Sequence, residues 1–110
     1  MRTLEIELNL KNLKNEEVVG WFYEGENKRD FYIDIEKVLE GDELIGTVCH
    51  EMVHVWQAAT RKMKDLDGFR KMYMDKVYDN TTAYDDEPWE IEASAMQDKL
   101  LEKFKEKYVI

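Results

Sequence analysis

Two histidines, His50 and His54, stand four residues apart with Glu51 beside the first, in the stretch GTVCHEMVHVWQ from Gly46 to Gln57. They are the only histidines in the chain. On a helix, residues four apart sit one turn above each other on one face, so both imidazoles can reach a single metal ion. That reach is the chemical content of a His-Glu-x-x-His helix: two nitrogen ligands for zinc, and a carboxylate next to them that can take a proton from water. Shuffling two histidines through this chain would leave them so spaced beside a glutamate in roughly one arrangement in 400, so chance is a poor account of the pattern.

Stepping about 100° per residue gathers Thr47, His50, His54, Gln57 and Arg61 on one polar strip. Leu44, Ile45, Val48, Cys49, Met52, Val53, Val55, Trp56 and Ala59 fill an arc of about 180°, wider than the ~100° stripe of an ordinary surface helix. A largely buried helix is expected. Zinc held with one position open needs a third protein ligand, which here must be a carboxylate or Cys49. Cys49 points into the apolar arc and reads as a buried structural thiol. In PWEIEASAMQDKLLEKF, Glu90 and Gln97 fall within the apolar face of the wheel, whereas Glu92 falls beside Lys99, Lys103 and Glu106 on the solvated side. A carboxylate on an apolar face is costly to bury unless paired or metal-bound, which singles out Glu90. A salt bridge to Arg61 or another base is the alternative reading of that burial.

The elements that must position these groups are legible in outline. Thr3 to Leu10, TLEIELNL, alternates with the period of a half-buried strand, and FYIDIE alternates again. Between them EEVVGWFY is rich in β-branched and aromatic residues, and EGENKRD has the makeup of a hairpin loop. Two or three antiparallel strands are expected up to Glu36, with Glu16 to Val19 open to a helical turn instead. A helix with Asp42 as N-cap is expected to run to about Lys62 and carry the two histidines. DLDGFRKMYMDKVYD is helix-compatible, NTTAYDDE reads as loop, and Pro88 opens a last helix preceded by acids that suit its dipole. Trp21, Trp56 and Trp89 are expected to pack the core. The fold class is α+β: a small antiparallel sheet of about three strands on two or three helices, in one domain over residues 1–110.

A net charge of −9, with 25 acids against 16 bases, argues against a nucleic-acid partner. The chain has no apolar run near the roughly 18 residues of a membrane span, and its N-terminus alternates where a signal peptide would be continuously apolar. No membrane association is expected, and the cytoplasm is the expected compartment, in keeping with the single Cys49.

The residues HEMVH, followed 36 positions after His54 by EIEA, resemble the zinc metallopeptidases of the gluzincin type, in which a second helix supplies a glutamate within Glu-x-x-Ala. The match puts that glutamate at Glu90, with Ala93 three residues on, in agreement with the wheel. Ser94 stands where an aspartate often follows, so support for a zinc-bound histidine must come from another residue. In size and order of elements the chain is most similar to the minigluzincins, a zincin-like group with some latent members, and the apolar end KYVI is the segment that could fill the cleft here. The run HEMVHVWQ also resembles SprT-like proteins locally, although their third histidine is lacking.

This resemblance implies a peptidase with Zn²⁺ on His50, His54 and Glu90, acting on peptides or unfolded protein laid along FYIDI by strand addition. Glu51 would serve as general base and then pass its proton to the leaving amine. A donor to the developing oxyanion is required, and Tyr84 is the first candidate, with Tyr78 and Tyr73 as alternatives. The rival classes are a non-catalytic module in which zinc only braces the last helix, and an acidic protein-binding module.

Overall fold

A computed structural model describes residues 4–13, 19–25, 29–66 and 70–107. The elements are β1 (Glu5–Lys11), β2 (Gly20–Glu24), β3 (Asp30–Glu36), α1 (Gly41–Ala59), β4 (Met63–Leu66), β5 (Arg70–Tyr73), β6 (Lys76–Tyr78), a 3₁₀ turn (Tyr84–Asp86) and α2 (Pro88–Lys107). The fold is α+β, with two helices and two three-stranded sheets.

The first sheet has the order β1-β3-β2. β2 and β3 form the expected antiparallel hairpin, with Phe22 opposite Ile33. β1 instead runs parallel to β3, with Leu8 beside Ile33, because β2 occupies the opposite flank. This corrects the all-antiparallel expectation, and it also removes FYIDI as a docking edge. β3 is the central strand, paired on both sides, so its backbone has no open ladder to offer. Phe31, Ile33 and Ile35 project from it and, with Val55, Ala58, Met63, Tyr73 and Trp89, make the buried core. The segment Glu16 to Val18 lies outside the described residues.

α1 begins at Gly41, not at an Asp42 cap. Asp42 sits inside the first turn, where its charge favours the helix dipole, and it accepts a hydrogen bond from Lys105 Nζ at 2.9 Å, joining the start of α1 to the end of α2. The helix stops at Ala59, three residues short of the expected end. Thr60 and Arg61 N–H groups donate back to the carbonyls of Trp56 and Ala58, and Arg61 takes φ 65°. This is a left-handed cap of the kind usually given to glycine. Arg61 thereby leaves the polar strip.

The segment expected to be helical after α1 is a β-meander, β4-β5-β6, antiparallel throughout. Its last turn is the two-residue Met74–Asp75, with φ of 49° and 68°, the twist that matches a tight hairpin. Helix propensity is overridden because Met63 and Tyr73 face each other in the ladder and both are buried in the core. Of the three tryptophans only Trp89 is core, at 3% exposure; Trp21 and Trp56 are each 43% exposed.

An arginine held in the left-handed region costs about 1 kcal/mol relative to glycine. Arg61→Gly is expected to raise the free energy of unfolding by about that amount, read as a higher urea midpoint at unchanged slope.

Candidate metal centre

α1 and α2 pack against each other, and the groups singled out by type and spacing meet at that contact. The rings of His50 and His54 lie edge to face, their centroids 5.0 Å apart. From α2, Glu90 Oε1 comes within 2.9 Å of His50 Nε2 and 3.1 Å of His54 Nε2. The three groups offer ligand atoms within 4.8 Å of one another, close enough to hold a metal ion. Cys49 is half-buried and stands apart from them, its thiol pKa raised by burial.

The far nitrogens of both rings are also held. His50 Nδ1 lies 3.0 Å from Gln97 Oε1, and His54 Nδ1 lies 2.8 Å from Gln57 Oε1. An amide oxygen only accepts, so each Nδ1 carries a proton, and a neutral ring then turns its Nε2 lone pair toward the carboxylate. Two lone pairs and an anionic oxygen at these distances repel unless positive charge lies between them. In the metal-free chain protons supply that charge. The hydrogen bond to Glu90 raises the pKa of His50 against the opposing effect of burial. Burial pushes the Glu90 pKa up, but the bonds from both histidines outweigh it and hold the carboxyl far below the usual range. A divalent cation would answer the same demand, and the donor set fits one.

Gln57 is wholly buried and does three things at once. Its oxygen orients His54, and its amide donates to the carbonyl of Trp89 at 3.0 Å and to Glu92 Oε1 at 2.9 Å. Glu92 is therefore not on a solvated face. It also accepts from Tyr73 OH at 2.8 Å and from Lys62 Nζ at 2.5 Å. The wheel failed for Glu92 because it averages over a whole helix. Only the first turns of α2, which hold the buried Trp89 and Ala93, are embedded, and Lys99, Lys103 and Glu106 lie beyond them. Ser94 lines the cavity, and it is the two glutamines that orient the histidines. Gln97 had shown itself on the same wheel face as Glu90, but its bond to His50 needs the room left by Gly46, where an added Cβ would stand 3.0 Å from Gln97 Nε2.

Glu51 is 6% exposed, and its Oε2 has no hydrogen-bond partner among the described residues. Burial raises its pKa, the neighbouring histidines partly offset this, and Glu90 adds to the rise. β2 can pass so close because residue 20 is glycine: a Cβ there would meet Thr47 Cγ2 at 2.9 Å and Glu51 Cγ at 3.3 Å. Beyond it, the Phe22 ring lies tilted against His54, their centroids 5.9 Å apart. These groups line an open cavity of about 940 Å³, with Val19 to Phe22 along one wall.

Of the three tyrosines considered, Tyr84 alone reaches the group. Its hydroxyl donates to Glu90 Oε1 at 3.1 Å. Partial desolvation of its hydroxyl and the Glu90 charge push its pKa up to about 12, so it stays a donor at neutral pH. Tyr73 is committed to Glu92, and Tyr78 packs edge-on against Trp89. Arg61 has no part in the cluster, and Glu90 takes its partners from His50, His54 and Tyr84. No helix among the described residues is long and apolar enough to cross a membrane. No protein-family model, curated protein or solved structure matches the chain at a significant level, so the reading of this centre rests on its own geometry.

Gln57→Leu leaves the Trp89 carbonyl and Glu92 short of a donor and is expected to cost about 1–3 kcal/mol in urea unfolding of the metal-free chain. Both Gln57→Leu and Gln97→Leu free a histidine ring, and each is expected to weaken divalent-metal binding by about 10- to 100-fold, measured by competition with a chelating dye.

Proposed function

We propose that this chain is a zinc-dependent peptidase of the gluzincin type, with His50, His54 and Glu90 as metal ligands. One observation carries the reading. A buried carboxylate oxygen of Glu51 without a partner among the described residues shares an open cavity with a two-histidine, one-glutamate cluster. A purely structural site would tend to be closed by four protein ligands, whereas three gather here among the described residues. Nitrogen and oxygen ligands placed tetrahedrally at zinc distances would lie about 3.3 Å apart. The 2.9 and 3.1 Å spacings approach that value.

Zinc so bound would supply an acidified water and a Lewis acid for a peptide carbonyl. The rest falls to the chain's own residues. Glu51, with its pKa raised by burial, takes the proton from water at its unpaired Oε2 and returns it to the leaving amine. Tyr84, protonated and 60% exposed at the mouth of the group, is placed to turn its hydroxyl from Glu90 to an oxyanion. The substrate is a peptide or unfolded protein, and the strand available to align it is β2. Its edge away from β3 has no strand partner among the described residues, and its first residues wall the cavity. Of the segment KYVI expected to fill the cleft, Lys107 ends α2 and Tyr108 to Ile110 lie outside the described residues.

Protein purified without added metal is expected to hold one zinc per chain by elemental analysis. Glu90→Ala should lose it, and Glu106→Gln, on the exposed side of α2, should keep it. Glu51→Gln should retain zinc while hydrolysis of unfolded protein falls at least about 100-fold. A parent chain that takes up no zinc on reconstitution would sink the metal reading. A zinc-loaded Glu51→Gln variant that cleaves as fast as the parent would remove Glu51 from the chemistry.

A further inference from the structure

The apolar face of the first sheet does not end where its cover does. β1 and β3 lie in register, with Ile6 beside Phe31, Leu8 beside Ile33 and Leu10 beside Ile35, so the two rows share one face. The inner row is at most 1% exposed, but Ile6, Leu8 and Leu10 are 39%, 50% and 60% exposed. The reason is that α1 packs over β2 and β3 and leaves the outermost strand bare. The exposed Met52 and Trp56 stand on the flank of α1 away from the two histidines. The outer edge of β1 has no strand partner among the described residues. A seven-residue edge strand with an uncovered apolar row is a template for pairing with another chain.

We propose that this edge is the contact between two copies of the chain, joined by antiparallel pairing of β1 with its counterpart about a two-fold axis at Leu8. Charge chooses the partner, and charge together with the length of strand overlap chooses the register. Around that axis Glu5 faces Lys11, Ile6 faces Leu10, Glu7 faces Asn9 and Leu8 faces itself. Moving the axis one residue back sets Glu7 against itself, and one further sets Glu5 against Glu7. Like charges directly opposite destabilise a strand pair, so both slips are disfavoured. The axis at Leu8 overlaps the whole strand and makes each of its two charged ends an acid–base pair. Lys11 is half-exposed and already bonded to Asp34 at 3.2 Å, which steadies it for a second carboxylate. With −9 on each copy, two copies repel on average, so a contact between them needs local charge complementarity. At β1 the two copies meet with complementary charge and six apolar side chains on one face. A two-fold contact of this kind is closed and adds no further copies.

The test is sedimentation of the full chain at about 100 μM, a concentration that populates a micromolar dimer, with circular dichroism to show that each variant is folded. The parent is expected at twice the 13.2 kDa chain mass, and Leu8→Lys at the single mass. Glu5→Lys and Lys11→Glu each place like charges at both ends and are expected to weaken association about tenfold or more. Mixing those two variants restores both acid–base pairs and is expected to restore the dimer. A parent at the single mass, a dimer unmoved by Leu8→Lys, or a mixture no tighter than its components would each overturn the proposal, the last by removing the register.

Discussion

Two imidazole nitrogens and one carboxylate oxygen converge where α1 meets α2, and their mutual repulsion in the absence of positive charge is the constraint around which the neighbouring residues are arranged. Each histidine is fixed from behind by a glutamine amide oxygen, which leaves Nε2 as the atom turned inward. Gly46 makes room for one of those glutamines and Gly20 lets β2 close over Glu51. The Trp89 carbonyl, in the first turn of α2, takes a second donor from the other glutamine. The packing of the two helices and the polar chemistry between them are thus one arrangement, and neither can be altered alone.

The same arrangement separates two carboxylates that are alike in sequence. Glu90 and Glu92 are two residues apart, so they point to different sides of α2. Glu90 meets the histidines, whereas Glu92 is enclosed by Gln57, Lys62 and Tyr73. Gln57 touches both networks. A change on the β5 side of α2 therefore has a direct mechanical route to His54.

Much of this was legible in the chain. The histidine spacing, the inward side of Glu90 and the strands β1 and β3 rest on local period, the opening of α2 rests on Pro88, and these appear in the structure; the half-burial expected of β1 does not, since Ile6, Leu8 and Leu10 are exposed. What failed depended on what lies across from a residue. The meander after α1 reads as helix because Met72, Tyr73 and Val77 suit either period, and only pairing with neighbouring strands decides it. The end of α1 at Ala59 was hidden because arginine, not glycine, takes the left-handed position. The parallel sense of β1 depends on which flank of β3 the β2 hairpin leaves open, which no local pattern records. Trp21 and Trp56 were misplaced because bulk and apolarity say nothing about which side of an element is covered.

That strand order also has a consequence for how the chain folds. β2 and β3 are neighbours in sequence and can zip as a hairpin, and α1 follows them directly. β1 must close a loop of about 25 residues to reach β3, an entropic cost that local contacts do not share. It gains little burial in return, since α1 does not cover its apolar row. β1 is therefore the element most readily added last and released first, and its opening lays bare the inner flank of β3 while the helix pair and its polar cluster stay assembled.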